Sequence, residues 1–318
     1  MADLQSAVVA FGKIPAQGDF VRLGARSPCI DHLDTWLQEG LSELKRQQGA
    51  QRDEGAGDPQ PFHLIYSTPY APDVLVGALV MSRDRVGRRY PLLVARAVSR
   101  GLLDVRHVPL WPIAWKRLLA DTAALAAQAV VELDAARLAE RLELLPALPD
   151  PAGAHFQRAH VDALRGSTTA DFWEALWGDA EAAEKYAVFS RLLDSLRPGR
   201  RTRVPGFGLS VPTTTNGSPL AAESIWLDAV WQMLQRPAEL PVVAWLANER
   251  GRRLVIFPAG APRGSAAAVL GGEVNPRLLL ELDAPLARPT DAIVGLPQRY
   301  GALLESPDLP LASFLKSL

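Results

Sequence analysis

Three short apolar segments in the first third of the chain constrain the fold most strongly. They span residues 62–67, 74–81 and 90–98, are rich in β-branched and aromatic residues, and are separated by turn-forming residues. These properties predict three β-strands. The last two are separated by residues 82–89, a length that suits a hairpin in which Gly87 takes a positive φ. An antiparallel meander is therefore expected in this half of the protein.

A strand, a loop and a helix precede the meander. The apolar run 7–10 predicts one buried strand, and Gly12, Pro15 and Gly18 then interrupt regular structure. Apolar residues recur at spacings of three and four after Ser27-Pro28, which predicts a helix that ends at Gly49. The first part of the chain is therefore predicted to form a strand followed by a helix, a βα unit.

The rest of the chain contains helical and β-rich segments. Residues 49–60 are polar and glycine-rich and are expected to form a mobile surface loop. Helices are predicted at 110–129, 133–145, 169–177, 180–196 and 219–234, and strands at 207–212, 241–246 and 252–257. Residues 146–153 contain three prolines and are the best boundary candidate. The boundary gives an N-terminal α/β domain, residues 1–148, and a helical segment with a second β-rich half, residues 149–318.

The bulk composition is that of a globular protein and excludes several classes. The 318 residues carry 34 basic and 35 acidic side chains, and a net charge of −1 argues against an obligate nucleic-acid binder. Cys29 is the only cysteine, so a disulfide within the chain and a thiolate zinc cluster are impossible. The first residues lack the features of a signal peptide, and no apolar run approaches the ~20 residues of a membrane span. We therefore expect a cytoplasmic protein without membrane insertion.

The sequence lacks the common patterns of catalytic and metal sites. Gly12-Lys13 has no upstream glycine at the spacing of a phosphate-binding loop, and Pro212 stands where a nucleophile elbow has its second glycine. His155 and His160 are five positions apart and would lie on different faces of a helix, unsuited to a shared metal. We therefore expect no metal, no organic cofactor and no catalytic residue, although a triad can assemble from distant residues.

Two arginine-rich turns are candidate binding features. The first turn contains Arg83, Arg85, Arg88 and Arg89 around Asp84, and the second contains Arg197, Arg200, Arg201 and Arg203. Each turn is either a solvated loop or a surface that binds a carboxylate-rich or phosphorylated partner. The planar guanidinium group suits the second role because it can donate two parallel hydrogen bonds to an anion.

The opening loop contributes one cation, Lys13, and one carboxylate, Asp19. Asp19 is expected to accept hydrogen bonds from loop N–H groups or from the arginine turn. If the loop and the hairpin lie at one edge of the sheet, Lys13 joins the arginines in a basic surface. On that surface, Arg85 and Arg88 would contact an acidic partner. The alternative is that Asp84 and Arg85 pair with Asp19 and Lys13 and lock the two loops together.

Three sequence blocks within residues 8–98 are specific when taken in this order. They are Gly12-Lys13-x-Pro15-x-x-Gly18-Asp19-Phe20-Val21, then Trp36-Leu37-x-x-Gly40-Leu41, then Ser82-x-Asp84-Arg85-Val86-Gly87-Arg88-x-Tyr90-Pro91-Leu92. Together they resemble the TagF (ImpM) family, accessory proteins of bacterial type VI secretion systems. The resemblance is weaker over 205–272, where Leu227 replaces the second residue of a tryptophan pair that relatives tend to have.

The resemblance implies an α/β fold in which helices flank a mixed, largely antiparallel sheet, in α/β/α layers. It also implies a non-enzymatic cytoplasmic regulator that represses secretion after translation by binding a forkhead-associated scaffold protein. Two other functions stay open at this point. One is a phosphoryl- or nucleotide-processing enzyme that uses Lys13, Asp19 and the arginine turn in a cleft between the two halves. The other is a structural subunit of the secretion apparatus.

Overall fold

The protein is built around one nine-stranded β-sheet. The computed structural model describes residues 3–48, 60–196, 206–214, 222–235, 239–248, 251–273, 275–285 and 296–318. The strands in these ranges are β1 (Asp3–Leu4), β2 (Ser6–Gly12), β3 (Val21–Gly24), β4 (Phe62–Tyr66), β5 (Asp73–Val80), β6 (Leu92–Ser99), β7 (Leu148–Pro149), β8 (Gly208–Pro212), β9 (Val242–Asn248), β10 (Gly251–Phe257) and β11 (Leu279–Glu281).

The order of strands in the large sheet is β11-β8-β10-β9-β4-β5-β6-β2-β3. The pair β11–β8 is parallel and the other pairs are antiparallel, while β1 and β7 form a separate two-stranded sheet. The predicted α/β class with a mixed, mostly antiparallel sheet is confirmed. Because β9 pairs with β4, the strands of the second β-rich half extend the sheet of the first half.

Helices cover both faces of this sheet. They are α1 (Pro28–Gln48), α2 (Trp111–Ala114), α3 (Lys116–Ala129), α4 (Ala135–Glu143), α5 (Ala154–Gly166), α6 (Thr169–Trp177), α7 (Glu184–Leu196), α8 (Ala222–Met233), α9 (Ala266–Val269), α10 (Gln298–Leu304) and α11 (Leu311–Lys316). No helix in the described ranges is both long and apolar enough to cross a bilayer.

Strand β2 is apolar from Ala7 to Phe11 because core residues cover both of its faces. Val9 and Phe11 belong to the core cluster that contains residues of α1 and α9. Val8 and Ala10 belong to the cluster on the opposite face, with residues of α3 and α8. Successive side chains of a strand point to opposite faces, so a strand covered on both sides has no polar positions to alternate with.

The helix predicted over 110–129 is interrupted. A 3₁₀ helix covers Val105–Leu110, α2 follows, and Trp115 separates α2 from α3 with φ −105° and ψ 7°. Pro109 and Pro112 have no backbone N–H, so neither can continue an α-helical hydrogen-bond ladder. Pro109 therefore belongs to the 3₁₀ helix that precedes α2, whereas Pro112 lies in the first turn of α2, where a proline is tolerated.

Part of the sequence predictions concerns residues outside the described ranges. These are most of the loop 49–60, the second arginine turn, and the first residues of the helix predicted over 219–234. The other predicted helices and strands are present, with ends that differ by a few residues.

Candidate functional site

The opening loop, residues 13–20, and the hairpin turn, residues 81–91, lie at the same end of the sheet. Strands β2 and β5 both run antiparallel to β6, which lies between them. Their carboxyl ends therefore point in one direction, and the two loops follow those ends. The backbone N–H of Arg85 donates to the carbonyl of Gln17 at 2.8 Å, which joins the loops directly.

A buried ion pair connects the two loops. Lys13 is 6% exposed and Asp84 is 2% exposed. The Lys13 Nζ lies 3.0 Å from Asp84 Oδ2. Lys13 therefore pairs with Asp84, which agrees with the alternative that the two loops are locked together. It does not contribute a cation to the exposed surface. Asp84 is likewise not an exposed residue of the turn.

Arg88 completes the same cluster. Its Nε donates to Asp84 Oδ2 at 2.7 Å, and its Nη2 donates to the carbonyl of Gly18 at 2.7 Å. The backbone N–H groups of Val86 and Arg88 donate to Asp84 Oδ1 at 3.0 and 2.9 Å. Lys13, Asp84 and Arg88, here called the loop lock, therefore hold the turn in one conformation and attach it to the opening loop.

Asp19 and Arg85 are placed differently from the loop lock. Asp19 is exposed, and its Oδ1 accepts a hydrogen bond from the backbone N–H of Phe20 at 2.8 Å. Arg85 is exposed, and its guanidinium makes no hydrogen bond or ion pair with any residue in the described ranges. It lies against Gly18, since a Cβ placed on Gly18 would be 3.4 Å from Arg85 Nη2. Of the pairs named in the alternative that locks the loops together, the one between Arg85 and Asp19 is not observed.

Three aromatic rings support the base of the two loops. Phe20 lies 4.8 Å from Tyr90 and 5.6 Å from Phe11, measured between ring centroids. The Lys13 ammonium lies 5.2 Å from the centroid of Phe20. The Tyr90 hydroxyl donates to the carboxylate of Asp34 on α1, so the hairpin is also attached to that helix. Burial and this hydrogen bond raise the pKa of Tyr90 above its usual range.

Two glycines permit the backbone geometry of the site. Gly12 has φ 137°, and a Cβ at this position would lie 2.0 Å from the carbonyl oxygen of Pro91. Gly87 has φ 89°, which confirms the positive φ predicted for the hairpin turn. Side chains are strained at such φ values, and at Gly12 a side chain would also collide with the neighbouring backbone.

The charge state of Asp84 follows from its surroundings. Burial by itself raises the pKa of this carboxyl, but hydrogen bonds from Lys13, from Arg88 and from two backbone N–H groups outweigh it. The net result is a pKa well below the usual range. Asp84 is therefore ionised at neutral pH and balances the charge of Lys13.

Because of the loop lock, the free energy of unfolding should decrease as the pH falls into the acidic range. A carboxyl with a depressed folded-state pKa contributes stability above its unfolded pKa of about 3.9, and the contribution is lost as the pH falls below that value. We expect Asp84→Asn to lower the melting temperature at pH 7 and to flatten its decline below about pH 4. Thermal unfolding from pH 7 to pH 3 measures both effects. Asp19→Asn is the matched control, and an equally steep decline in both variants would contradict the prediction.

The sequence reasoning missed several groups that build the site. The carbonyls of Gln17 and Gly18 accept hydrogen bonds from the hairpin turn, but a backbone acceptor leaves no signal in side-chain composition. Tyr90 and Asp34 are 56 positions apart, so their hydrogen bond could not be predicted from the local sequence. A signal did exist for Asp84. An Asp side chain in a turn commonly accepts a hydrogen bond from the backbone N–H two positions later, and here that N–H belongs to Val86.

The histidines do not form a metal site in the described part of the chain. His160 Nε2 lies 3.1 Å from Asp228 Oδ2, which joins α5 to α8. The described residues contain no group of three or more His, Cys, Asp or Glu side chains placed to hold a metal ion. That the protein binds no cofactor stays a prediction.

Comparisons with known proteins place both loops in a recognised domain. Residues 9–145 match the family model described as the TagF N-terminal domain, type VI secretion system-associated. No curated protein matches the chain. The crystal structure of PA0076 from Pseudomonas aeruginosa PAO1 is similar with a TM-score of 0.49 and 18% identity, over 85% of this chain and 97% of that chain.

Proposed function

We propose that this chain is a non-enzymatic regulator. The premise is that it belongs to the TagF family of type VI secretion system-associated proteins through its residues 9–145. It represses secretion after translation by binding a forkhead-associated scaffold protein of the apparatus. The proposed place of repression is the cytoplasm.

The observation that carries the proposal is the state of the ionisable groups in the two loops. Lys13, Asp84 and Arg88 bond to one another and to backbone groups, and these bonds hold the two loops in one conformation. A general acid or base has to be free to exchange a proton with a substrate. The arrangement therefore supports the presentation of a rigid surface to a partner rather than chemistry by these residues.

The structure also changes which arginine is suitable for a test. Arg88→Glu would place a second carboxylate beside Asp84, so a loss of binding could come from a disturbed turn. Arg85 lies outside the loop lock, and its side chain can be reversed in charge without removing a hydrogen bond to any residue in the described ranges. Arg85→Glu therefore separates binding from folding.

We expect Arg85→Glu to keep the melting temperature of the wild type, to lose copurification with the scaffold protein, and to release secretion from repression. Reversing an exposed charge at a docking site opposes the field that orients an acidic partner. Affinity purification from cells and an assay of secreted substrates provide the two measurements. Arg158→Glu is the matched control, since Arg158 is exposed on α5 and its guanidinium, like that of Arg85, makes no hydrogen bond or ion pair with the described residues.

The outcomes separate the candidate functions. Full repression by a folded Arg85→Glu protein would remove Arg85 from the proposal. Absence of the scaffold from purifications of the wild-type chain would overturn the proposed partner. A structural subunit should sediment with the assembled apparatus in fixed proportion, whereas a regulator should recover the scaffold in less than equal amounts.

A further inference from the structure

The apex of the hairpin turn, residues 84–88, is held in one conformation by hydrogen bonds from each of its backbone N–H groups. The Arg85 N–H donates to the carbonyl of Gln17, and the Gly87 N–H donates to the carbonyl of Asp84. The N–H groups of Val86 and Arg88 both donate to the Asp84 side chain. The Asp84 N–H donates to the carbonyl of Arg88 at 3.1 Å. A segment ordered in advance loses little conformational entropy when a partner binds.

The side chains at this apex are unusual for a rigid turn. Val86 is 68% exposed although it is apolar. Arg85, next to it, has an exposed guanidinium that makes no hydrogen bond or ion pair within the described ranges. Both side chains are exposed on a turn whose backbone conformation is fixed by hydrogen bonds. Arginine is enriched among the residues that dominate binding energy at protein interfaces.

The charge around the apex indicates the chemistry of what binds. Besides Arg85, the turn carries Arg83 and Arg88. The charge of Asp84 is balanced by the buried Lys13. Asp19 is the one exposed carboxylate in the two loops. A partner segment that approaches this surface is therefore favoured if it is acidic, and the guanidinium fork of Arg85 fits a carboxylate.

We infer that Arg85 and Val86 together form the docking tip for an acidic protein segment, with a partner carboxylate on the Arg85 guanidinium and an apolar partner side chain against Val86. Arg88 acts through the loop lock as a positioning residue and does not itself contact the partner. The inference rests on the proposed function for the identity of the partner, but not for the chemistry of the contact.

Photo-crosslinking in the bacterium that makes the protein tests this inference. The full-length chain carries p-benzoylphenylalanine in place of Val86, or, as a control, in place of Tyr70. Tyr70 is 80% exposed and lies before the start of β5, at the opposite end of the sheet from the hairpin turn. Mass spectrometry identifies the captured protein and the peptide that carries the crosslink.

We expect the probe at position 86 to capture one protein through a peptide rich in Asp and Glu, and the probe at position 70 not to capture it. Adding Arg85→Ala should reduce the crosslink roughly tenfold, because hot-spot arginines typically contribute at least that factor. Arg88→Ala should reduce it as well, but together with a lower melting temperature, whereas Arg85→Ala should leave the melting temperature unchanged.

The results distinguish this inference from the proposed function. Capture of the forkhead-associated scaffold through an acidic peptide supports both. Capture of a different protein through an acidic peptide supports the docking tip and overturns the proposed partner. Capture through a basic or uncharged peptide, capture of nucleic acid, or equal capture by both probes would overturn the docking tip.

Discussion

Replacing Lys13 by methionine should destabilise the protein by about 3 kcal/mol, the lower end of the range for removing one partner of a buried ion pair. Lys13 and Asp84 are both buried, and the substitution leaves the carboxylate without one of its two cationic partners. The remaining donors are Arg88 and two backbone N–H groups, which limit the loss. Methionine has a similar length, so little packing is lost.

Urea unfolding at pH 7 measures the free energy of unfolding for this comparison. Lys45→Met is the matched control, because Lys45 is exposed on α1 and forms no ion pair with the described residues. If Lys13→Met were as stable as Lys45→Met, the buried pair would contribute nothing net to folding. The loop lock would then hold the two loops without stabilising the rest of the protein.

Replacing Gly12 by alanine should have a comparable or larger effect, at least about 3 kcal/mol, with strain from the positive φ accounting for roughly 1–3 kcal/mol of it. The remainder comes from a collision, since the new Cβ would lie 2.0 Å from the carbonyl oxygen of Pro91 and 2.8 Å from the Cα of Leu92. These are backbone atoms at the start of β6, so the two loops can accommodate a methyl group only by separating β2 from β6.

Thermal unfolding and hydrogen exchange of the β2 and β6 amides measure this effect. Gly101→Ala is the matched control, because a Cβ there would meet only the Ser99 hydroxyl at 3.8 Å and φ lies outside the positive range. We expect Gly101→Ala to change stability by less than about 1 kcal/mol, as substitutions at open surface positions usually do. Equal stabilities of the two variants would show that the backbone near Pro91 relaxes without cost.

Local sequence determined much of the secondary structure, and the family resemblance implied the class of fold. The meander strands and α1 were predicted because their apolar residues recur with the periods of a strand and of a helix. The positive φ of Gly87 was predicted because a short hairpin turn requires it. The three sequence blocks that resemble TagF lie largely in the region that the family model matches.

Only the tertiary structure decided how the two β-rich parts of the chain are related. The strands after residue 205 could have formed a sheet of their own, but β9 pairs with β4 and makes one continuous sheet. A strand carries donors and acceptors along both edges, and which edge it joins depends on packing far along the chain. Periodicity within a segment contains no information about that choice.

The candidate site shows the same division. The sequence by itself named Lys13, Asp19, Asp84, Arg85 and Arg88 and left open whether they form a surface or a lock. The structure assigns Lys13, Asp84 and Arg88 to the lock and leaves Arg85 outside it. These partners belong to loops about 70 positions apart. Residue type fixes which groups can pair, but only the fold brings an acceptor within 3 Å of its donor and removes the water that competes for it.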